Sequence, residues 1–337
     1  EVLCSYNWHV CGKMIFVPGA PPKWTPVALP TTLKKDSGYR FVEQNGFRVP
    51  KYSFEPAFQA LGIMNPGTKV DNIDIFANRN SFRKLLHIVS GRRFDPFCMD
   101  LQMVKGTLFI SRKEQDARTM IYGSLNSGYG HSLEDTFTTP EEGLDHSSSH
   151  HRVIRYHMGN LNCAVRFEVD AYYEPYDGGV AVPEPAPSQM KFETYEYAST
   201  QVIRKGTLVS SSALAEIKAK KSHQVSQTMP QLWFGRTPYL LTGHNVDGVV
   251  HKISCTHAAL EFRDWEKKNQ ETLRKLVGLL EMIIDVVKKT EKRAAVLVCE
   301  QKGGPIRILE KVNVAGVLSE EMCEEFWDEK VGATSVG

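Results

Sequence analysis

The stretch NCAVRFEVDAYY (162–173) constrains the fold most, because it has the two-residue period of a β-strand. One face of this strand is apolar, through residues such as Val165 and Phe167. The other face carries Glu168 and Asp170, two carboxylates separated by a single residue. Like charges this close destabilise a fold unless something neutralises them. The stretch therefore predicts a half-buried strand beside a cation or a basic partner.

Alternating and helical patterns are interleaved along the rest of the chain. Further strands are predicted at 74–76, 99–104, 107–111, 190–200, 238–242, 249–254, 294–300 and 305–310. Helices are predicted at 51–66, 80–91, 206–221 and 258–291. This mixture predicts a mixed α/β (α+β) fold in which central mixed β-sheets are flanked by helices. No internal repeat or clean linker divides the chain, which predicts a single domain.

Prolines are concentrated near the start of the chain. Five of them fall within residues 1–36, a density typical of extended chain that runs over a protein surface. We therefore expect residues 1–50 to form a proline-rich N-terminal extension that packs on the core. Residues 51–330 are expected to form the main domain.

Composition excludes several functional classes. The chain has 337 residues and a net charge of +2, so it lacks a general polybasic surface for nucleic acid. Its seven cysteines include no CxxC pair, which argues against a zinc knuckle and favours a reducing compartment, the nucleus or the cytoplasm. No apolar run approaches the roughly 20 residues of a membrane helix, so no membrane partner is expected.

The segment PEEGLDHSSSHH (140–151) is polar and contains three histidines, His146, His150 and His151. Three histidines can bind a metal ion when their geometry is fixed. Nothing in this segment fixes that geometry, so we expect a solvated loop.

Three segments place acids among apolar residues instead of in solvated charge runs. They carry Glu134 (GHSLE), Glu168 and Asp170 (FEVDA) and Glu196 (YEYAST). Acids in such surroundings are seldom buried unless they are paired. Converging on one point, these carboxylates would hold Mg²⁺ or Mn²⁺, which prefer oxygen ligands. The alternative is that each acid pairs with an arginine, and the candidates are Arg79, Arg166 and Arg204.

The order of these segments resembles the DXO/Rai-type decapping exoribonucleases, a branch of the PD-(D/E)XK nuclease superfamily. The resemblance extends from about residue 74 to about residue 300 and implies a PD-(D/E)XK nuclease-like core. IFANRNSFRKLLHIVSG is similar to an arginine-containing segment of the family, GHSLE loosely to Gly-Φ-x-Φ-Glu, and FEVDA to Glu-Φ-Asp. QLWFGRTPYLLTGHNVDG is similar to a segment that begins with glutamine. The catalytic metal ligands implied by the resemblance are Glu134, Glu168, Asp170 and Glu196, and the implied substrate contacts are Arg79, Lys84 and Gln231.

The fourth motif of the family, Glu-Φ-Lys followed by Thr-Ser, is matched here to Glu196-Tyr197-Ala198-Ser199-Thr200. In this superfamily the lysine orients the attacking water and stabilises developing charge, so its loss lowers the rate by about 10²–10³-fold. Lys220 or Lys221 could supply the missing amine. The family's glycines are also replaced, by Asn80 and Arg236, which puts substrate preference in doubt.

The resemblance implies a metal-dependent hydrolase that acts on RNA 5′ ends, in the decapping, pyrophosphohydrolase or 5′–3′ exonuclease class. The alternative is a catalytically impaired pseudonuclease that serves as an RNA-binding or scaffolding partner of a 5′–3′ exoribonuclease. Ala198 favours this alternative, whereas four retained acids favour an enzyme, because unneutralised acids destabilise a fold. A third hypothesis is an enzyme that acts on another phosphodiester, such as DNA.

Overall fold

The computed structural model describes residues 1–41, 43–92, 95–113, 118–120, 128–174, 192–193, 199–220 and 225–328. The helices in these ranges are α1 (Gln44–Arg48), α2 (Glu55–Met64), α3 (Arg79–Val89), α4 (Gly130–Phe137), α5 (Val225–Gly235), α6 (Phe262–Lys268), α7 (Gln270–Lys289) and α8 (Glu320–Phe326). Two 3₁₀ turns are described at Ser211–Ala213 and Ala258–Glu261.

The first ten strands are β1 (Val2–His9), β2 (Met14–Pro18), β3 (Lys23–Trp24), β4 (Thr31–Thr32), β5 (Tyr39–Phe41), β6 (Ile75–Asn78), β7 (Phe97–Val104), β8 (Thr107–Arg112), β9 (Arg118–Met120) and β10 (Thr138–Thr139). The others are β11 (Ser147–Met158), β12 (Leu161–Val169), β13 (Ala171–Tyr172), β14 (Phe192–Glu193), β15 (Gln201–Lys205), β16 (Leu214–Lys220), β17 (Tyr239–Val246), β18 (Val249–His257), β19 (Ala294–Cys299) and β20 (Arg307–Glu310).

The larger of two mixed sheets has, in the described part of the chain, eleven strands in the order β14-β15-β2-β1-β11-β12-β6-β8-β7-β19-β20. Strand β6 runs parallel to both of its neighbours, β12 and β8. The carboxyl ends of these three strands therefore meet at one edge of the sheet. The candidate site lies at this edge.

The N-terminal strand β1 lies inside this sheet. It pairs with β2 on one side and with β11 on the other, and Leu3, Tyr6 and Trp8 are buried. The structure thus differs from the extension that we expected for residues 1–50. Most of the prolines that suggested surface chain come after β2, and the alternating residues before them form two strands of the sheet.

The smaller mixed sheet contains, among the described residues, seven strands in the order β10-β3-β13-β16-β17-β18-β4. Strand β13 follows β12 after a single residue, Asp170, and pairs with β16 so that Ala171 lies opposite Ala215. The chain therefore passes from the larger sheet to the smaller one at Asp170.

Buried apolar side chains cover both faces of the larger sheet. Helices α3, α5 and α7 pack with one face, and α2 and α8 pack with the other. The apolar stripe predicted for the long helix is core packing, because Leu276, Leu280 and Ile283 are fully buried. Among the described residues, no helix combines the length and apolar character needed to cross a membrane. The predicted mixed α/β, single-domain fold is confirmed.

Residues 206–221 were predicted to form a helix, and this prediction is wrong. They contain a 3₁₀ turn and then β16, in whose sequence LAEIKAK every residue except Ile217 is a strong helix former. The strand forms because its two-residue alternation lets it pair with β13 on one side and β17 on the other. Tertiary pairing here overrides the local propensity.

Two further predictions need correction. The expected solvated loop ends at Asp145–His146, because β11 begins at Ser147 and buries His150 and His151 inside the sheet. The helix predicted at 258–291 is divided at Asn269 into α6 and α7. Of the strand predicted at 190–200, only β14 and the last two residues lie within the described chain.

Candidate active site

Glu168 and Asp170 lie where the chain leaves the larger sheet. Their side chains project on the same side, as the two-residue alternation predicts. The Glu168 carboxylate is exposed toward a cleft. Asp170 is more enclosed, and its Oδ2 accepts a hydrogen bond of 2.8 Å from the backbone N–H of Ile217 on β16. The two acids therefore stand beside a strand of the smaller sheet.

Glu216 and Lys218 on β16 complete the cluster. The Nζ of Lys218 donates to Glu216 and lies 3.9 Å from Oδ2 of Asp170. The Nη1 of Arg79 donates to Oε2 of Glu216 at 3.2 Å, and the side-chain amide of Gln231 on α5 donates to Oε1. Glu216 is only 2% exposed, so these three donors compensate for the burial of its charge.

The charges in this cluster are unevenly balanced. Burial and the Glu216 carboxylate raise the pKa of Asp170 well above its usual value. Protein atoms around the Glu168 carboxylate displace part of its hydration, and the Glu134 carboxylate repels its charge. Together these effects raise the pKa of Glu168 to about 7. Burial would also raise the pKa of Glu216, but Lys218 and the other donors outweigh it and hold this pKa below its usual range. The ionised forms of Glu168 and Asp170 are thus disfavoured in the cluster, and a nearby cation would favour them.

Glu134 approaches the cluster from α4. Its carboxylate lies 3.5 Å from Nδ1 of His131, one turn earlier on the helix, and it contributes to the raised pKa of both Glu168 and Asp170. The helix is held by Leu133, which is fully buried in the apolar cluster behind β16. The structure thus brings together three of the four predicted acids.

The cleft beside the acids is rich in arginine. Its lining includes Arg79, Arg112, Arg166 and Glu168. Arg79 begins α3 directly after β6, so the strand end holds it at the edge where the acids lie. Arg166 has a structural role instead, because it is buried and pairs with Glu43 at 3.4 Å. The cleft therefore brings the Glu168 carboxylate and several guanidinium groups together.

The structure also shows where the predicted arginine partners and the predicted substrate contact Gln231 lie. Of the arginines named as alternative partners, Arg79 pairs with Glu216 and Arg166 with Glu43 in the described part of the chain. Gln231 belongs to the cluster, through its hydrogen bond to Glu216.

Lys84 does not belong to the cluster, because its ammonium lies 5.1 Å from the ring centroid of Phe97 and the described lining of the cleft does not include it. The structure also shows why Arg236 is not part of this cleft. Its guanidinium stacks on Trp233 and Tyr156 and lies 3.5 Å from Glu266.

Glu196 and Ala198, to which we matched the Glu-Φ-Lys motif, lie outside the described residues. The sequence Glu216-Ile217-Lys218 has the same motif, and the structure places it in the cluster. A Glu-Φ-Lys sequence that includes its lysine therefore lies in the cluster, and the match to Glu196 stays a prediction. The signal was the alternation in LAEIKAK, which the helix propensity of its residues obscured.

The donor set suits a hard divalent cation, because carboxylate oxygens are the ligands that Mg²⁺ and Mn²⁺ prefer. The raised pKa values of Glu168 and Asp170 show that a nearby positive charge would relieve unfavourable interactions. No three His, Cys, Asp or Glu side chains in the described ranges are already arranged closely enough to hold a metal ion. The residues fit such an ion by their chemistry.

Comparison with known sequences places the chain in a family. Residues 1–327 match the family described as a domain of unknown function, DUF8563. The chain belongs to this family. None of the curated proteins matches its sequence. The DUF8563 match includes β1 and β2, in agreement with their place inside the larger sheet.

Solved structures of fungal Rai1 proteins are similar to this DUF8563 chain. Scheffersomyces stipitis Rai1 has a TM-score of 0.60 at 14% identity, and the match covers 96% of each chain. Candida albicans Rai1, in complex with pU5-Mn²⁺, has a TM-score of 0.59 at 14% identity, covering 96% of this chain and 95% of that one. S. pombe Rai1 has a TM-score of 0.57 at 14% identity, covering 92% and 94%. The DXO/Rai-type fold predicted from the sequence is confirmed.

Proposed function

We propose that this protein is a divalent-metal-dependent hydrolase that acts on RNA 5′ ends. The observation that carries the proposal is the contact of Lys218 with both Glu216, on the same strand, and Asp170, directly after β12. This arrangement joins the Glu-Φ-Lys motif to the acid that follows β12, in a chain with the DXO/Rai-type fold. Fold alone does not determine function, so the argument rests on these side chains.

The proposed metal ligands are Glu134, Glu168, Asp170 and Glu216. Bound Mg²⁺ or Mn²⁺ would lower the pKa of a water molecule and stabilise negative charge on a phosphate. The presence of Mn²⁺ in the Candida albicans Rai1 complex supports this choice of cation. Glu216 takes the role that we predicted for Glu196.

Basic and amide groups around the acids would position the RNA. Arg79 presents a planar guanidinium at the cleft, a geometry suited to a phosphate group, and Arg112 lines the same cleft. Lys218 would stabilise negative charge on the attacked phosphate, since its ammonium stands beside the acids. Gln231 donates one N–H to Glu216, and its second N–H can bind a substrate oxygen.

An RNA 5′ end is the substrate that we favour over other phosphodiesters. The complex of Candida albicans Rai1 with pU5 supports this substrate class. The impaired-enzyme alternative depended on Ala198, and we infer that Lys218, which contacts Glu216 and Asp170, is the lysine that this alternative took as lost. A role beside a 5′–3′ exoribonuclease and a location in the nucleus or cytoplasm remain predictions.

The test is an assay of purified protein with and without Mn²⁺. The RNA substrates carry a triphosphate, a monophosphate, a methylated cap, an unmethylated cap or NAD at the 5′ end, and a DNA of the same sequence is included. We expect metal-dependent release from at least one RNA end, abolished in Asp170→Asn and retained in Asp135→Asn, an exposed acid on α4. Mn²⁺ binding without turnover would instead support a pseudonuclease, and equal cleavage of DNA would contradict the RNA preference.

A further inference from the structure

A segment of the N-terminal region runs along the smaller sheet to the start of α4. We call residues 31–36 the strap. It begins as β4, which pairs with Val249 and Val250 of β18. The backbone N–H of Leu33 then donates to the carbonyl of Gly248 at 2.8 Å, and the N–H of Asp36 donates to the carbonyl of Gly128 at 2.9 Å. The strap is therefore fixed by backbone hydrogen bonds at both of its ends.

Asp36 at the end of the strap caps α4. Its Oδ1 accepts the backbone N–H of Ser132 at 2.9 Å, and its Oδ2 accepts that of His131 at 3.3 Å. Tyr129, at the N-cap position of the helix itself, makes no side-chain capping hydrogen bond. Asp36 therefore pairs with two of the amides that a helix leaves unpaired at its N-terminus. Its negative charge also interacts favourably with the positive end of the helix dipole.

The capped amides precede Glu134 by less than one helical turn. The helix has only eight residues, so its first turn determines where Glu134 stands. Leu33 of the strap and Leu133 of the helix are buried in the same apolar cluster, which ties the two segments together beyond the cap. A residue far from Glu134 in the sequence thus fixes the backbone that carries it.

We propose that Asp36 is a positioning residue that holds α4, and with it Glu134, at the acid cluster. This inference rests on the proposed function, because it takes Glu134 as a metal ligand. Residues that orient a ligand without touching the metal typically change metal affinity by about 10–100-fold when they are replaced. We therefore expect Asp36→Ala to raise the Kd for Mn²⁺ by about 10-fold.

The experiment measures Mn²⁺ binding by calorimetry and unfolding by urea on the full chain. Asp36→Asn keeps a capping oxygen without the charge, and should bind Mn²⁺ within about 3-fold of the unaltered protein, because Asn caps a helix as well as Asp does. Ser319→Ala is the matched control. Ser319 caps α8 through a 3.4 Å hydrogen bond to the N–H of Met322, so its loss weakens a helix elsewhere. It should lower stability without changing the Kd.

The outcomes separate the two proposals. If the unaltered protein does not bind Mn²⁺, the proposed function fails at its metal site and the positioning role fails with it. If it binds Mn²⁺ and Asp36→Ala binds equally well, only the positioning role is overturned. Equal weakening in Asp36→Ala and Asp36→Asn would assign the effect to charge and would also overturn it. If Asp36→Ala does not fold, Asp36→Glu replaces it: this variant keeps the charge but displaces the carboxylate, and an unchanged Kd would overturn the proposal.

Discussion

Arg79 and Glu216 join the two sheets, with 3.2 Å between Nη1 and Oε2. Arg79 begins the helix that follows β6 of the larger sheet, and Glu216 lies on β16 of the smaller one. Both side chains are at least nine-tenths buried. This ion pair therefore contributes to the fold as well as to the charge of the site.

Replacing Arg79 by methionine should lower the free energy of unfolding by about 1.5–3 kcal/mol, the range for a hydrogen bond to a charged group. Glu216 would remain buried, but Lys218 and Gln231 still donate to it, which limits the loss. Urea unfolding measures this change. Arg83→Met on the same helix is the control. In the described hydrogen bonds, the Arg83 side chain donates to Asn80, one turn earlier on the helix, at 3.0 Å. A larger loss in the control would contradict the assignment.

Replacing Lys218 by methionine should lower the rate of RNA hydrolysis by about 10²-fold or more, because the attacked phosphate loses its nearest ammonium. Mn²⁺ binding should be unchanged or tighter, since Lys218 competes with a metal ion for Glu216 and Asp170. Single-turnover rates and calorimetry give the two quantities. Lys220→Met, two residues further on the same strand and exposed, should change neither. A normal rate in Lys218→Met would remove this lysine from the mechanism.

Replacing Gly235 by alanine should disturb Arg79. An added Cβ would lie 3.2 Å from Nη1 of Arg79, 3.0 Å from Oγ1 of Thr237 and 3.2 Å from the ring of Phe167. We expect a loss of about 1–3 kcal/mol in stability, as for other overpacked sites, and a raised KM for RNA. Gly278→Ala on α7 is the matched control. Nothing lies within 4 Å of its added Cβ, so it should stabilise the protein by about 0.5–1 kcal/mol. Opposite signs for the two changes in unfolding midpoint would confirm the packing argument.

The contribution of His150 to stability should fall as the pH is lowered from 7 to 5. Burial and the charge of Arg152 lower the pKa of His150 well below 6.5, so the folded protein holds this ring neutral. The unfolded chain takes up a proton below about pH 6.5, and it is then favoured by up to about 1.4 kcal/mol per pH unit until the folded pKa is reached. His150→Gln should remove this contribution, so that stability falls less, or rises more, from pH 7 to 5 in urea titrations than it does for the unaltered protein, whereas the exposed His157→Gln should leave the pH dependence unchanged. Equal slopes in both variants would exclude His150 as the source.

The sequence correctly predicts the strand that leads to Glu168 and Asp170. The two-residue alternation is long there, and the segments before and after it are also strands. The sequence also predicts the core stripe of α7, where a helical period extends over five turns. These features are local, and an alternation or a helical period within one segment is enough to reveal them.

Residues whose roles depend on distant partners were missed. Lys218 is a helix former in a segment of helix formers, and only pairing with β13 and β17 makes it part of the cluster. His150 was assigned to a loop because its neighbours are polar, yet β1 covers it and Asn7 pairs with its ring at 2.6 Å. Asp36 shows no local signal, since the helix that it caps comes much later in the sequence. Tertiary contacts supply this information, and a single sequence does not display them.

The position of β1 in the middle of the larger sheet has a consequence for synthesis on the ribosome. Its partner β11 includes Ser149, which lies opposite Trp8. Because chains grow at roughly 5–20 residues per second, the apolar face of β1 must wait on the order of ten seconds before that partner exists. During this interval Tyr6 and Trp8 are exposed to other nascent chains. Production of this protein should therefore depend on chaperones that shield β1 until β11 has left the ribosome.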